Sequence, residues 1–478
     1  MRFLRTVLVV AFLCTVLELY TLPVKAYATS FILPVTADVA EGSIPVSSRE
    51  ELESIRDDLD GRYHLIADII LSGAEWIPIG DATNPFTGSL NGNGYCLVGM
   101  KIATSYFCTG LFGFLSGAAV TNLGLTDILI DNRFCEMSAD AGGISATTES
   151  SIINNCFVTG AITFTSIPSI NVGGIVGYSY NSTINYCFSE VTIRIHAGER
   201  NVNAGGICGS SSQIDISDCY NIGSVSATAR NPENMVGGIC GGGAQTYISR
   251  CYNSGQIDAT SPSFAIAGGI SGSSWGKTEN CYNSGKITAT AFSVCAGAGG
   301  ISGGIGDIEG CYNSGDISAS SGSRDYPGAL IGYYAQNNHI KNSYWSIYSR
   351  YVMNGERVSA SATDERNTVM IDSFPLNHDQ MQQAASFSGF SFGSIWEFRA
   401  DENFGYPVLV ALPHRWLQGQ EISYPSEPPP KALQYTPGAD NGQTVTALVL
   451  ASAIAYQFIQ RHKRSHATAQ DTTMELKG

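Results

Sequence analysis

Six copies of a unit of about 30 residues dominate the sequence between positions 142 and 319. Each copy begins with a Gly-Gly pair, and a cysteine follows at Cys156, Cys187, Cys219, Cys251, Cys281 and Cys311. Successive cysteines are 31, 32, 32, 30 and 30 residues apart. A fixed period of this length predicts an array of stacked repeats, in which each unit contacts only its neighbours.

The composition of the unit excludes a helical repeat, because glycines interrupt every copy and a glycine costs about 1 kcal/mol in a helix interior. Between the glycines, apolar and polar residues alternate in short runs, as around Ile257 and Ala259, which is the period of a half-buried strand. We therefore predict an all-β fold, a single-stranded, right-handed parallel β-helix (solenoid) of about 30-residue coils with small capping segments. Neighbouring coils would pair as parallel strands about 4.8 Å apart.

Stacked coils place each side chain beside its counterpart in the next coil, so recurring residues predict ladders along the rod. The six cysteines named above would form one ladder. The aromatic residues that follow them would form another, at Phe157, Phe188, Tyr220, Tyr252, Tyr282 and Tyr312. A third set suits a corner, where asparagine tolerates the left-handed conformation and stacked amides can bond along the ladder. Its members are Asn221, Asn253, Asn283 and Asn313.

The cysteines leave two alternatives open. Thirteen cysteines in an exported chain ordinarily indicate disulfides, whereas six at one ladder position are typical of small, buried, reduced side chains in a tight core. Cys208 and Cys240, each within Gly-Ile-Cys-Gly, predict a second, shorter ladder. No Cys-x-x-Cys pair or histidine cluster in the sequence has the spacing of a zinc site, so we assign no metal ligands and no cofactor.

These repeats resemble a known motif. Gly-Gly-Ile-x-Gly followed by Ile-x-x-Cys-Tyr-Asn-Ser-Gly is similar to the GLUG motif of bacterial surface proteins and adhesins. The resemblance extends to Trp-Ile-Pro-Ile-Gly at 76–80 and Gly-Leu-Phe-Gly at 110–113, before the repeats, and to Gly-Tyr-Pro-Val-Leu at 405–409, after them. It covers residues 46–411. Because the motif defines a scaffold, the resemblance implies an architecture rather than an activity.

Both ends of the chain carry signals for export and anchoring. Two arginines precede an apolar stretch at 7–16, and Ala-Tyr-Ala at 26–28 is a small-x-small cleavage site; together they predict a secretory signal peptide, with an uncleaved anchor as the alternative. An apolar stretch at 444–460 precedes a basic run at 461–464, the arrangement of a single-pass span whose basic end stays in the cytoplasm. We predict an exported protein, held at the cell surface by this C-terminal transmembrane helix.

The same patterns divide the chain into eight segments. They are a signal peptide at 1–28, a linker at 29–45, an N-terminal cap with the first coils at 46–141, the repeats at 142–345, a C-terminal cap at 346–416, a proline-rich spacer at 417–443, the transmembrane anchor at 444–460 and a basic cytoplasmic tail at 461–478. In the caps, a capping box from Ser48 to Glu51 predicts a helix to Leu59, and residues 377–385 predict another. Caps are needed because a bare terminal coil exposes strand edges.

Charge and side-chain chemistry argue against several functions. The net charge of −15 without a basic patch argues against a nucleic-acid partner. Some parallel β-helices cut polysaccharides with paired carboxylates, but the acidic residues of these repeats share no register apart from Asp258 and Asp316. The residues compared were Asp215, Asp218, Asp258, Asp307 and Asp316. Some chains with the motif resemble IgA-cleaving metallopeptidases, yet His-Glu-x-x-His does not occur in this sequence. We therefore predict that the protein is not an enzyme.

The segments between the last strand of each unit and the next Gly-Gly pair vary while the remainder repeats. Stacking would place these loops along one edge, at 196–204, 228–236, 260–267, 290–298 and 320–327. Loops on a rigid scaffold commonly carry binding residues, although tolerated drift in exposed turns would produce the same variation. The candidate ligand-binding residues on this edge are Arg200, Arg230, Phe264, Phe292, Arg324 and Tyr326.

The sequence thus favours a membrane-anchored bacterial cell-surface protein whose repeat ectodomain functions in adhesion or ligand binding. Its partner would be an extracellular ligand, either a host protein or a glycan. A polysaccharide-degrading enzyme on the same scaffold and a purely structural envelope protein are the alternatives. Binding would be weak per coil but multivalent, because neighbouring coils present similar loops ~4.8 Å apart.

Overall fold

The computed structural model describes residues 40–412, except 104–106, 133–137, 166–168, 197–200, 231–232, 334–337 and 364–367. Over this range the chain winds into a parallel β-solenoid of about nine coils with about 31 residues in each, which confirms the predicted fold class. None of the helices in this range reaches the length and apolarity of a membrane span. The predicted signal peptide, spacer, anchor and tail lie outside the described residues, as does Arg200.

Each coil passes through three parallel sheets, named A, B and C. Sheet A contains Ile44–Val46, Arg62–Leu65, Ser89–Asn91, Phe112–Ser116, Ala119–Thr121, Ser145–Glu149, Ile152–Asn154, Val176–Tyr180, Thr183–Asn185, Cys208–Ser217, Cys240–Ser249, Ser271–Trp275, Lys277–Glu279, Asp307–Glu309, His339–Lys341 and Val369–Ile371. Sheet C contains Cys108–Thr109, Ala139–Gly142, Ile170–Gly173, Val202–Gly205, Glu233–Gly237, Phe264–Gly268, Cys295–Gly299 and Arg324–Gly328. A coil runs from sheet C through the Gly-Gly corner into sheet A, and then through sheet B to the next strand of sheet C.

Sheet B carries the cysteine-tyrosine-asparagine segment of each repeat. It contains Ile69–Ile70, Cys96–Val98, Lys101–Ile102, Gly124–Asn132, Phe157–Thr165, Phe188–His196, Tyr220–Asn221, Val225–Thr228, Tyr252–Asn253, Ile257–Ser261, Tyr282–Asn283, Ile287–Ala291, Tyr312–Asn313, Ile317–Ser320, Tyr344–Ser346, Tyr351–Met353, Glu356–Val358 and Phe374–Leu376. Its single antiparallel pairing within the described residues joins Tyr351–Met353 to Glu356–Val358. The Tyr252–Asn253 strand pairs in register with Tyr282–Asn283, so neighbouring coils present identical residues side by side.

Two bends in the coil depend on residues in the left-handed backbone conformation. The bend within sheet A is at Ser150, Asn181, Gln213 and Gln245. The bend between sheets A and B is at Asn122, Asn155, Tyr186, Asp218, Arg250, Asn280 and Asn342. Asparagine enters this conformation more readily than most residues that have a side chain, which explains why it recurs at the second bend.

The core consists of side-chain ladders. The isoleucines after the Gly-Gly pairs are fully buried, at Ile144, Ile175, Ile207, Ile239, Ile270 and Ile301. The six predicted ladder cysteines are also buried, and their thiols are free, which supports the thiol alternative. The backbone N–H of Cys219 donates to Cys251 Sγ of the next coil at 3.4 Å, and burial raises the pKa of the Cys219 thiol. The shorter ladder is confirmed as well, since Cys208 pairs with Cys240.

The asparagines form a ladder too, but not at a left-handed corner. Asn253 Nδ2 donates to Asn283 Oδ1 of the next coil at 2.8 Å and to the Gly255 carbonyl at 2.9 Å. The predicted left-handed conformation is wrong, because these asparagines lie in the strands of sheet B and point into the core. Left-handed residues stand instead at bends such as Asn280. A buried amide must find partners within the protein, and the bonds along the rod provide them.

The N-terminal cap is a short helix over the end of the core. An α-helix at Arg49–Ser54 continues as a 3₁₀ helix at Ile55–Asp57. The capping box is confirmed, because Ser48 accepts from the Glu51 N–H while the Glu51 carboxylate accepts from the Ser48 N–H. The helix ends before Leu59, and strand Ile44–Val46 already begins inside the predicted linker.

The C-terminal segment lies along the side of the solenoid. It contains an α-helix at His378–Met381, 3₁₀ helices at Ala384–Ser386 and Asn403–Gly405, and two antiparallel strands, Trp396–Phe398 and Pro407–Leu409. The aromatic ladder of sheet B faces outward beneath it, with successive rings 4.9–5.1 Å apart between Phe157 and Tyr312. The Trp396 ring lies 6.0 Å from Tyr282 and 5.8 Å from Tyr312. The segment therefore covers an apolar outer face rather than the end of the rod.

Replacing Cys251 tests the core ladder. Cys251→Ala removes one buried atom and is expected to lower the free energy of unfolding by about 1 kcal/mol, as for a deleted methylene group. Cys251→Arg buries an unpaired charge and should unfold the neighbouring coils. Denaturant titration followed by circular dichroism measures both effects.

Thiol labelling provides the control for this prediction. In the native protein the half-buried Cys96 and Cys108 should react before the fully buried Cys251, which should react only after denaturant is added. Rapid labelling of native Cys251 would show that its side chain does not face the core, and so that the strand register is wrong.

Replacing Trp396 tests how the C-terminal segment is attached to sheet B. Because its ring is buried against the tyrosine ladder, Trp396→Ala should cost about 3–5 kcal/mol of local stability and release the cap from sheet B. Hydrogen exchange should then rise in 377–412 and at the tyrosine ladder, with little change in sheet C. Faster exchange throughout the solenoid would instead mean that the cap and coils unfold as one unit.

Candidate functional site

The structure separates the predicted loop residues into two groups. Arg230 is exposed in the turn after Val225–Thr228, and Phe292 is 69% exposed in the turn before Cys295–Gly299. Phe264 and Arg324 begin strands of sheet C, and Tyr326 lies within one, so these three are strand residues rather than loop residues. Strand register places Phe264 and Arg324 in one row along the rod, two coils apart.

The Gly-Gly corner between sheets C and A points toward the inside of the solenoid. A Cβ atom on the second glycine would overlap an asparagine of sheet B, as Gly238 would overlap Asn253 and Gly269 would overlap Asn283. Glycine is required here by this close approach. Because the corner points inward, the outer faces of sheets C and A flank a groove that runs along the rod.

Two rows of side chains line each wall of this groove. The floor row of sheet C is Asp140, Asn171, Asn203, Met235, Ile266, Gly297 and Tyr326. The floor row of sheet A is Thr147, Tyr178, Ser210, Gly242 and Ser273. The rim rows are Glu233, Phe264, Cys295 and Arg324 on sheet C, and Glu149, Tyr180, Ser212, Ala244 and Trp275 on sheet A.

Contacts between the two floor rows show that they face each other. Thr147 Oγ1 donates to Asp140 Oδ2 at 3.0 Å. In a later coil, a Cβ atom at Gly242 would stand 2.9 Å from Asn203 Oδ1. At the C-terminal end, the rings of Tyr326 and Tyr333 meet edge to face at 5.5 Å. The walls therefore touch at both ends of the floor.

The N-terminal half of the groove carries an oriented polar ladder. Asn203 Nδ2 donates to Asn171 Oδ1 at 2.9 Å, and Asn171 Nδ2 donates to Asp140 Oδ1 at 2.8 Å. Burial, with the charge of Asp140 as the next cause, raises the pKa of Tyr178 beside this ladder. The tyrosine therefore keeps its proton and remains a hydrogen-bond donor. Asp140 Oδ1 accepts from Asn171 of the same wall, and Asp140 Oδ2 accepts from Thr147 of the opposite wall.

The C-terminal half carries aromatic side chains on small floor residues. Phe264 on the sheet C rim and Trp275 on the sheet A rim belong to the same coil, before and after its Gly268-Gly269 corner. Trp275 is 38% exposed and Phe264 is half-buried. In this coil the floor holds Ile266 and Ser273, which are both buried, so the two aromatic side chains stand at the rims above small or aliphatic residues.

Glu233 is an unusual member of the rim. Its side chain is 8% exposed, and Oε2 has no hydrogen-bond partner within the described residues. Burial raises the pKa of this carboxyl group, since the charged form loses its hydration. Within the described residues, no three His, Cys, Asp or Glu side chains form a group that could hold a metal ion.

Sequence reasoning identified one wall of the groove and missed the other. Phe264, Arg324 and Tyr326 were found because sheet C follows the variable segments. Tyr178 and Trp275 were overlooked because they lie in strands that looked like invariant core. A signal did exist, since the neighbouring coil has the small residue Ser210 at the position paired with Tyr178 and Ala244 at the position paired with Trp275.

Comparison with known proteins supports the repeat assignment. The GLUG motif matches residues 169–194, which begin at strand Ile170–Gly173 of sheet C and end within Phe188–His196 of sheet B. This chain carries the GLUG repeat. The matched coil stacks in register on its neighbours before and after, so the same unit continues along the rod.

Resemblance to other proteins beyond the motif is partial. A protein of Evansella cellulosilytica, provisionally named a Gly-rich membrane protein, is 33% identical over 127 residues, which are 24% of this chain and 15% of that relative. A structure from Bacteroides ovatus, provisionally named an immunoglobulin A1 protease, shares 16% identity with a TM-score of 0.40, covering 78% of this chain and 93% of the other. A second structure, named IgA1 protease, shares 17% identity with a TM-score of 0.38, covering 62% and 21%.

Replacing Glu233 tests the buried carboxyl group. Its pKa is raised in the folded protein, so its favourable contribution is complete below the unfolded value near 4.5 and is lost as pH rises through the folded value. Glu233→Gln keeps the shape without the charge, and should raise Tm at pH 7 while changing it little at pH 4. The exposed Glu356→Gln is the matched control and should leave Tm unchanged at both pH values.

Proposed function

We propose that this protein is an exported cell-surface protein that binds an extended ligand along the groove between sheets C and A, and that it catalyses no reaction. The observation that carries the proposal is the pair of opposed rims, where Phe264 and Trp275 offer aromatic faces to solvent within one coil. Aromatic residues, and tryptophan above all, provide a large share of the binding free energy in many interfaces.

The length of the groove favours an extended partner. Its floor row on sheet C runs through seven coils from Asp140 to Tyr326, which is about 29 Å at the usual spacing of paired strands. Polar groups occupy one half and aromatic groups the other, so a long ligand would contact both. Several weak contacts on one rigid surface act together, because the first contact raises the effective concentration of the others.

A surface location is supported by the sequence and by the named relative. The N-terminal sequence has the pattern of an export signal and the C-terminal sequence has an apolar stretch at 444–460, and a 33% identical segment occurs in a protein provisionally named a membrane protein. On this proposal the solenoid is the exposed ectodomain and its function is adhesion.

The absence of catalysis is supported by the state of the carboxylates. In the groove, Asp140 is held by hydrogen bonds from Thr147 and Asn171. Two of the acidic residues compared in the sequence have partners on sheet A or its bend: Asp218 forms an ion pair with Arg250 at 2.6 Å, and Asp307 Oδ1 lies 3.2 Å from His339 Nδ1. These carboxylates have structural partners, which argues against a role as a paired acid and base.

Removing both rim aromatics tests the groove as the binding surface. The full chain should bind a subset of ligands in a screen of host proteins and glycans, and the Phe264→Ala/Trp275→Ala double variant should bind those ligands about tenfold more weakly or worse. Surface plasmon resonance measures the affinities, and circular dichroism verifies the fold.

Two aromatic residues outside the groove provide the matched control. Tyr186 is 50% exposed at the bend between sheets A and B, and Phe398 is 36% exposed in the C-terminal segment, so Tyr186→Ala/Phe398→Ala removes apolar area elsewhere and should bind like the parent. Equal weakening by both double variants would refute a groove-specific site. Shortening of any glycan by the purified chain would replace this proposal with the polysaccharide-degrading enzyme.

A further inference from the structure

The spacing of the groove restricts the chemistry of its ligand. Ring centroids in neighbouring coils are 4.9 Å apart in the tyrosine ladder, and groove side chains follow the same step because the sheets pair in register. An extended peptide advances about 3.3–3.4 Å per residue and turns alternate side chains to opposite sides, so its groups lose register within two coils. A sugar ring in an extended β-linked chain advances by nearly one coil.

The charges in the groove restrict the ligand further. Asp140 accepts hydrogen bonds from Thr147 of the opposite wall and from Asn171 of its own wall. Glu149 stands on the sheet A rim, Arg324 is the last residue of the sheet C rim row, and burial raises the pKa of Glu233 in that row. The chain as a whole carries a net charge of −15, which repels polyanions. A sulfated or uronic acid polymer is therefore disfavoured, whereas the Asn171–Asn203 amides can bond to neutral hydroxyl or acetamido groups.

The opposed aromatics suit the faces of a sugar ring. The C–H groups on a sugar face carry slight positive charge and pack on the negative face of an aromatic ring. Phe264 and Trp275 lie on opposite rims of one coil, and the floor between them is Ile266 and Ser273. A flat ring entering between the rims would contact apolar surface on both sides. The Tyr326–Tyr333 pair stands at the C-terminal end of this floor.

We propose that the groove binds an unbranched, uncharged β-linked polysaccharide parallel to the solenoid axis, with one sugar per coil. Phe264 and Trp275 pack against one sugar ring. The amides of Asn171 and Asn203 form hydrogen bonds with the hydroxyl or acetamido groups of sugars toward the N-terminal end. This inference rests on the proposed function, because it names the ligand of the same groove. It specifies that the ligand lies along the solenoid axis, that its repeat matches one coil and that it carries no charge.

An oligosaccharide length series tests the period. The full chain is titrated by calorimetry with cello-oligosaccharides and N-acetyl chito-oligosaccharides from dimer to octamer. Affinity for one series should rise severalfold per added sugar and level off near the seven floor positions of sheet C. Heparin oligosaccharides of equal length should bind at least tenfold more weakly at low salt.

Tryptophan fluorescence locates the sugar. Trp76, Trp345 and Trp396 are buried, whereas Trp275 is 38% exposed, so bound glycan should shift the Trp275 emission to shorter wavelength. Trp275→Phe should retain binding within about threefold yet lose the shift, while Trp275→Ala should weaken binding about tenfold. Asn203→Ala should weaken binding of the longer oligomers more than that of the dimer, because the dimer can bind at the aromatic clamp alone.

The outcomes separate this inference from the broader function. If no neutral β-glycan binds but a host protein binds and the rim variants weaken it, the ligand class is wrong and the groove remains the binding site. If a glycan binds equally to parent and to Phe264→Ala/Trp275→Ala, both the clamp and the groove are wrong. Tighter binding of heparin than of neutral oligomers would overturn the inference that the ligand is uncharged, and would leave the groove as the binding site.

Discussion

The in-register pairing of each coil with the next is the constraint on which the remaining structure depends. The parallel strands of the solenoid hydrogen-bond to their counterparts about 31 residues away, so a residue type that fits at one position of a coil must also fit beside the same position of the next coil. Buried cysteines, stacked tyrosines and bonded asparagines follow from this requirement. The Asn253–Asn283 amide bond, for example, satisfies a polar group in the core only because both residues occupy the same row.

Glycine at the corner connects this core to the candidate site. The second glycine of each pair packs against a side chain of sheet B, an asparagine in the four repeats from Gly206 to Gly300, and that contact draws the corner inward. Sheets C and A then face each other on the outside, with Asp140 and Thr147 in direct contact at one end. The same close approach that fills the core therefore creates the groove, and the residues on its walls are free to differ because they carry little of the packing.

The C-terminal segment covers an apolar strip on the outside of sheet B. Stacked tyrosines on sheet B turn apolar rings outward, and a strip of this kind would favour association with other chains. Trp396, together with the Tyr312 hydroxyl, which donates to the Pro407 carbonyl at 2.5 Å, attaches the segment over part of that strip. The segment covers part of sheet B and leaves uncovered the opposite side of the coil, where the rims of sheets C and A lie.

The sequence by itself determined the coil: its period, its ladders and the capping box at Ser48 follow from local patterns or from residues that pair with their own repeats. It also pointed to one wall of the groove through Phe264, because variation stands out against a regular repeat. Only the tertiary structure decided that the Gly-Gly corner points inward, that Phe264 and Trp275 occupy the two rims of one coil, and that the C-terminal segment lies along sheet B. These outcomes depend on contacts between different sheets, and no periodicity within one strand encodes which faces of two sheets meet.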